Sequence, residues 1–244
     1  MDQNDLSILS HHLFDIGVKF KRLLPAQPCL LCGADSREKL CCAECDAGLP
    51  HLTGTLCPTC ALPSPSANVC GRCLRHPPPF KYAVAAFGYG FPLDKMIQSL
   101  KFNEHLMLAE FLADALIECL TTRPDLLVAL PLHPVRLRER GFNQSLLLAQ
   151  RISQRLRIPL LPDACERVRD TPPQSGLPWN ERDRNMRRAF ICNPRYDLRG
   201  KHVAIVDDVM TTGASIGELA RALKLAGANE ISAWAVARTL PHNN

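Results

Sequence analysis

Val203-Ala204-Ile205-Val206-Asp207-Asp208-Val209-Met210-Thr211-Thr212-Gly213-Ala214-Ser215 is the stretch on which the reading of this chain turns. Its first four apolar residues read as a short buried strand. Two adjacent carboxylates stand where that strand ends, a loop of small and hydroxyl-bearing residues follows, and an apolar helix over 216–226 begins. In an open α/β sheet, ligands bind at the carboxyl ends of the strands, where loops run into helices. A small-residue loop at a helix start offers backbone N–H groups and the positive end of the helix dipole, which together suit a phosphate. Thr211, Thr212 and Ser215 add hydroxyl donors to that cradle, and Gly213, followed by Ala214, lets the backbone approach closely. Asp207 and Asp208 can accept from two neighbouring hydroxyls, as on a ribose. A phosphate cradle beside a diol clamp describes a site for a ribose 5-phosphate group.

The surrounding chain fits that setting. Apolar patterning predicts strands over 82–89, 126–130 and 231–237 and helices over 93–102, 105–120 and 146–156. Strands that alternate with helices imply a mostly parallel sheet with flanking helices. Two more segments carry functional groups. Residues 130–145 follow a strand and read as a pyrophosphate loop, with Arg136, Arg138, Arg140, a glycine and two amides. Further on, Arg167 and Arg169 precede a proline-containing loop over 171–180, and Arg182, Arg184 and Arg188 follow it. Such a loop can close over a charged substrate and exclude water. The stretch 131–190 contains twelve Arg, no Lys and six acidic residues, so it carries more net positive charge than the +5 of the whole 244-residue chain.

Eight of the twelve cysteines form a tandem repeat, C-x2-C-x9-C-x2-C, at Cys29, Cys32, Cys42 and Cys45 and again 28 residues later at Cys57, Cys60, Cys70 and Cys73. A C-x-x-C turn places two thiolates on one side of a tetrahedral metal, and a second turn completes it. The repeat predicts two closed, structural zinc sites. Equal spacing favours one ion per repeat, with a cross-braced pairing as the alternative. Cys41 adjoins Cys42, but the repeat selects Cys42. Cys119, Cys165 and Cys192 read as isolated, inert residues.

No apolar run is long enough to span a bilayer, and the polar start lacks the pattern of a secretory signal, so the chain is expected to be cytoplasmic without membrane insertion. In a reducing compartment paired cysteines are metal ligands rather than disulfides. Residues 5–24 show apolar positions at helical spacing and predict an amphipathic helix that ends at Pro25. The expected organisation is this helix over 1–25, a double zinc ribbon over 26–76, a proline linker and an α/β domain over 80–244.

The V-D-D-V-x-T-T-G loop resembles the signature of the type I phosphoribosyltransferases, which bind phosphoribosyl pyrophosphate (PRPP). Together with the C-x-x-C repeat, R-E-R-G-F-N-Q-S and R-x-R-x-T-x-x-Q, it resembles the ordered motifs of the ComF family of competence-associated, phosphoribosyltransferase-like proteins. The resemblance spans residues 29–240. It implies that Asp207 and Asp208 hold the ribose hydroxyls and act in catalysis, that Thr211 to Ser215 hold the 5-phosphate, and that Mg2+ accompanies PRPP. Arg138, Arg140, Arg167, Arg169 and Arg182 would then stabilise the departing pyrophosphate. It further implies a role in uptake or utilization of external DNA. Three readings follow: an enzyme that transfers phosphoribosyl groups, a module that handles single-stranded DNA, and a non-catalytic sensor of PRPP or a nucleotide that docks a DNA-uptake protein. No segment identifies the acceptor.

Overall fold

A computed structural model describes residues 27–37, 39–102, 106–169 and 188–241. The expected N-terminal helix, the loop over 171–180 and Arg182 lie outside the described residues. By internal contacts the chain divides into two compact units, Met1–Gly48 and Leu49–Asn244, with one cysteine quartet in each.

The 28-residue repeat of the sequence is also a repeat of structure. In the first unit Cys29 N donates to Ala34 O at 2.7 Å, and Pro28 bridges Asp35. In the second unit Cys57 N donates to Leu62 O at 2.7 Å, and Leu56 bridges Pro63. Each quartet ends on a short helix, α1 (Ala43–Ala47) or α2 (Gly71–Arg75), whose N-cap is the third cysteine, Cys42 or Cys70.

The second unit continues as β1 (Tyr82–Gly88), α3 (Leu93–Phe102), α4 (Leu106–Glu118), β2 (Leu126–Ala129), α5 (Pro134–Arg140), α6 (Gln144–Leu156), β3 (Cys165–Arg167), β4 (Phe190–Cys192), β5 (His202–Met210), α7 (Ala214–Leu225) and β6 (Glu230–Arg238). Four strands make a parallel sheet in the order β1-β6-β5-β2. The two central strands are almost wholly buried, and each carries an unbroken apolar run, Val203 to Val206 and Ala233 to Ala237, as parallel strands covered by helices must. Ile216, Leu219, Ala220 and Leu223 of α7 pack with Val203, Ile205, Ile231, Ala233 and Ala235 of the sheet. Helix α4 packs on α6, β1 and β6, and α6 packs on β2 and β5. The parallel sheet sends the chain segments after β2 and β5 to one edge.

Three readings are corrected here. The central strand does not stop at residue 206: its ladder with β6 continues through Asp207↔Ala235 to Met210↔Arg238, so both acids lie inside the strand. Residues 134–140 are helical, with Pro134 at the first turn, His133 Nδ1 accepting from Val135 N at 3.4 Å, and Gly141 closing the helix at φ 84°. Cys165 and Cys192 are not isolated: they face each other across the antiparallel β3–β4 pair with Sγ atoms 3.0 Å apart.

Candidate functional site

Successive residues of an extended strand point to opposite faces, so neighbouring acids acquire different surroundings. Both are buried. Asp207 Oδ1 accepts from Ser145 Oγ at 2.9 Å and from the Asp208 backbone N at 2.9 Å. Asp208 Oδ2 lies 2.7 Å from Lys101 Nζ, near the end of α3. Burial, and then the neighbouring Asp208 charge, hold the Asp207 carboxyl well above the usual carboxylate range. Burial acts upward most strongly on Asp208 too, but the charge and hydrogen bond of Lys101, with hydrogen bonds from Asp207 and the Val209 N–H, together outweigh it and the net direction is down. Two adjacent buried carboxylates cannot both ionise readily. Asp208 carries the charge, and Asp207 is the readier to keep a proton. The pair therefore offers one anionic acceptor and one group that can accept or donate, a combination suited to two hydroxyls.

Beyond Met210 the chain turns at once into the loop. Gly213 has φ 82°, a left-handed conformation that favours glycine, and stands as the N-cap of α7 with no side chain to occupy the helix end. Thr212 is buried, and its Oγ1 accepts from Ala214 N at 3.1 Å. Thr211 is exposed, and Ser215 is half-buried in the first turn of α7. The acids and this loop thus share one continuous segment, as the sequence suggested.

The arginines divide between places. Arg140 Nη1 donates to Gln144 Oε1 at 2.5 Å, next to the Ser145 that contacts Asp207. Arg138 is exposed on α5. Arg167 lies in β3, 6.0 Å from the Phe190 ring centre, and lines a cavity of about 680 Å³ with His133, Leu137, Phe142 and Asn143. Neither acid lines that cavity. Arg169 is exposed at the last described position before residue 188.

Sequence reasoning missed Lys101 and Ser145. Ser145 stands in a quoted segment, and the Asn143 N-cap, accepting from Ser145 N at 3.0 Å, was a readable sign that a helix begins there. Lys101 has no local signature, because only the packing of α3 brings it to β5.

The cysteines gather in chain order: Cys29, Cys32, Cys42 and Cys45 in one group, Cys57, Cys60, Cys70 and Cys73 in the other, each with its Sγ atoms within 4.8 Å of one another. The cross-braced alternative is not the arrangement found. Cys32–Cys42 and Cys60–Cys70 Sγ separations are both 3.7 Å. A tetrahedral ion with bonds of about 2.3 Å to sulfur has edges of about 3.8 Å, so both groups fit a zinc-sized metal. Cys42 N points at Cys29 Sγ at 3.3 Å and Cys70 N at Cys57 Sγ at 3.2 Å. These backbone donors favour thiolates, the form a metal requires. Buried Cys41 belongs to neither group, and burial pushes its thiol up to about 11.

Among the described residues, no helix is long and apolar enough to cross a membrane. Residues 20–74 match the double zinc ribbon domain, and residues 143–240 match the phosphoribosyl transferase domain. The chain is 39% identical to DNA utilization protein YhgH of Escherichia coli (strain K12) over 76% of this chain and 85% of that protein. It is 34% identical to competence protein F of Haemophilus influenzae, over 70% of this chain and 79% of that protein. Among solved structures it resembles a purine phosphoribosyltransferase from Pyrococcus horikoshii Ot3, at 23% identity, 57% and 89% coverage and a TM-score of 0.33. With two four-cysteine ribbons, a parallel α/β domain, and relatives this similar over most of their length, the chain belongs to the ComF/YhgH family of double-zinc-ribbon, phosphoribosyltransferase-domain proteins.

Proposed function

We propose that the protein binds a 5-phosphorylated ribose, as PRPP or a nucleotide, at the end of β5, and that it serves the uptake or utilization of external DNA. One observation carries the ligand reading: a buried acid pair, Asp207 on Ser145 and Asp208 on Lys101, runs without interruption into a left-handed glycine and the start of a helix. Asp207 and Asp208 take the ribose hydroxyls, and Thr211, Thr212, Gly213, Ala214 and Ser215 take the 5-phosphate. Arg138 and Arg140, which follow β2 at the same sheet edge, take a pyrophosphate. Arg167, Arg169 and Arg182 flank the loop over 171–180 in sequence and are proposed to add positive charge when a ligand is bound.

Each cysteine quartet holds one structural zinc ion in this reading. Mg2+ is a different case. The acid pair is a poor resident site for it, because Asp208 is already neutralised by Lys101 and Asp207 is disposed to keep its proton. Mg2+ would instead arrive on the oxygens of the ligand's pyrophosphate, where it supplies neutralising charge. The DNA role extends to this chain from the names its relatives carry, and the arginine-rich stretch 131–190 supports contact with a single strand.

Calorimetry with PRPP and Mg2+ tests the reading. Wild type is expected to bind, and the double variant Asp207→Asn/Asp208→Asn to lose at least about tenfold in affinity, the scale of one charge-assisted hydrogen bond. Equal binding by both would overturn it. Pyrophosphate release in a screen of bases and amines then separates a transferase from a sensor.

A further inference from the structure

The second cysteine quartet and the loop 211–215 are joined by two arginines. Arg72, between Cys70 and Cys73 in α2, donates through Nη2 to Thr212 O at 2.5 Å. Arg238, the last residue of β6 and 1% exposed, donates through Nε to Cys60 O at 2.9 Å. Its Nη1 donates to Met210 O at 2.8 Å and also to Thr211 O. One arginine thus starts inside the metal-binding turn and grips the loop, while the other starts in the sheet and grips both. Burial pulls Arg238 down to about 10, which leaves it charged at neutral pH.

The three carbonyls held this way, at 210, 211 and 212, are consecutive. In a trans peptide the C=O of one residue and the N–H of the next point in opposite directions. Guanidinium contacts that draw these carbonyls to one side therefore turn the N–H groups of Thr211, Thr212 and Gly213 to the other. Those are amides from which a phosphate nest is built. The ribbon has little apolar surface of its own: its buried cluster is Cys57, Cys60, Leu62 and Cys73. Metal ligation must therefore hold the turns that carry Arg72 and the Cys60 carbonyl.

We propose that Arg72 and Arg238 are positioning residues for the phosphate loop, and that metal occupancy of the second quartet sets the loop's affinity for phosphate. The proposal rests on the ribose 5-phosphate reading above, but one of its measurements does not need a ligand. In Arg72→Ala, hydrogen exchange of the 211–215 amides is expected to accelerate while β6 amides and zinc content stay as in wild type. Affinity for ribose 5-phosphate by calorimetry should fall about tenfold, the effect of one lost charge-assisted hydrogen bond. Arg72→Lys, which keeps a donor, should recover part of both, and the surface variant Arg199→Ala should change neither. Cys70→Ser and Cys32→Ser should each lose one zinc ion, with loop exchange accelerating only in Cys70→Ser. Unchanged loop exchange in Arg72→Ala, or equal effects of the two cysteine variants, would overturn the proposal. Wild-type protein that fails to bind ribose 5-phosphate would instead sink the functional reading, and loop exchange would still decide whether the clamp exists.

Discussion

Asp208 without Lys101 would be a buried carboxylate with no counter-charge. Breaking a buried pair costs about 3–5 kcal/mol, and Lys101 keeps a quarter of its side-chain surface, so Lys101→Met is expected to cost about 2–3 kcal/mol in urea denaturation. The double variant Lys101→Met/Asp208→Asn should recover most of that loss, since the stranded charge is gone. Asp207 behaves in the opposite sense. Its folded pKa is raised, so its stabilising contribution is present below the ordinary carboxylate range and is lost as pH climbs toward the folded value. Asp208 is depressed, so its contribution is present above that range and is lost as pH falls. Melting temperatures measured from about pH 4 upward should therefore decline in wild type relative to Asp207→Asn. At this scale the acids and the loop residues were readable because their chemistry is local and contiguous. Lys101, Arg72 and Arg238 were not, because each acts on a partner far away in sequence, and no pattern of nearby residues encodes such a contact.

Gly213 shows what the loop-to-helix junction demands. A Cβ there would meet Met210 Sδ at 3.8 Å and Phe80 Cζ at 3.9 Å, which is ordinary contact. The obstacle to a side chain is the positive φ, not space. Gly213→Ala should then cost about 1 kcal/mol of stability and weaken ribose 5-phosphate binding, read by melting temperature and calorimetry. Elements with strong periodicity, such as α7 and β6, were legible within a few residues. The extension of β5 was not, because Asp207 and Asp208 break the apolar run, and only pairing with β6 keeps them in the ladder. Helix α5 carried readable signs, Pro134 at its start and Gly141 past its end, but its arginines drew the reading toward a loop.

Across the whole chain, metal analysis is expected to find about two zinc ions per molecule, one for each quartet, and Cys41→Ser should leave that number unchanged. The quartets could be grouped from spacing alone because a 28-residue offset leaves little choice. That the second of them reaches the loop 211–215 could not be read this way, since it depends on how the last residue of β6 meets the turn at Cys60.

The strand order has a consequence for how the molecule is made. β6 is made after both β1 and β5, yet it belongs between them. Until it emerges, residues 50–52 can bond one edge of β1, but the edge that faces β6 stays unpaired. An early stop anywhere ahead of Glu230 would leave a gap in the middle of the sheet rather than a shortened tail. A strand made late is here the piece that joins the two halves of the sheet.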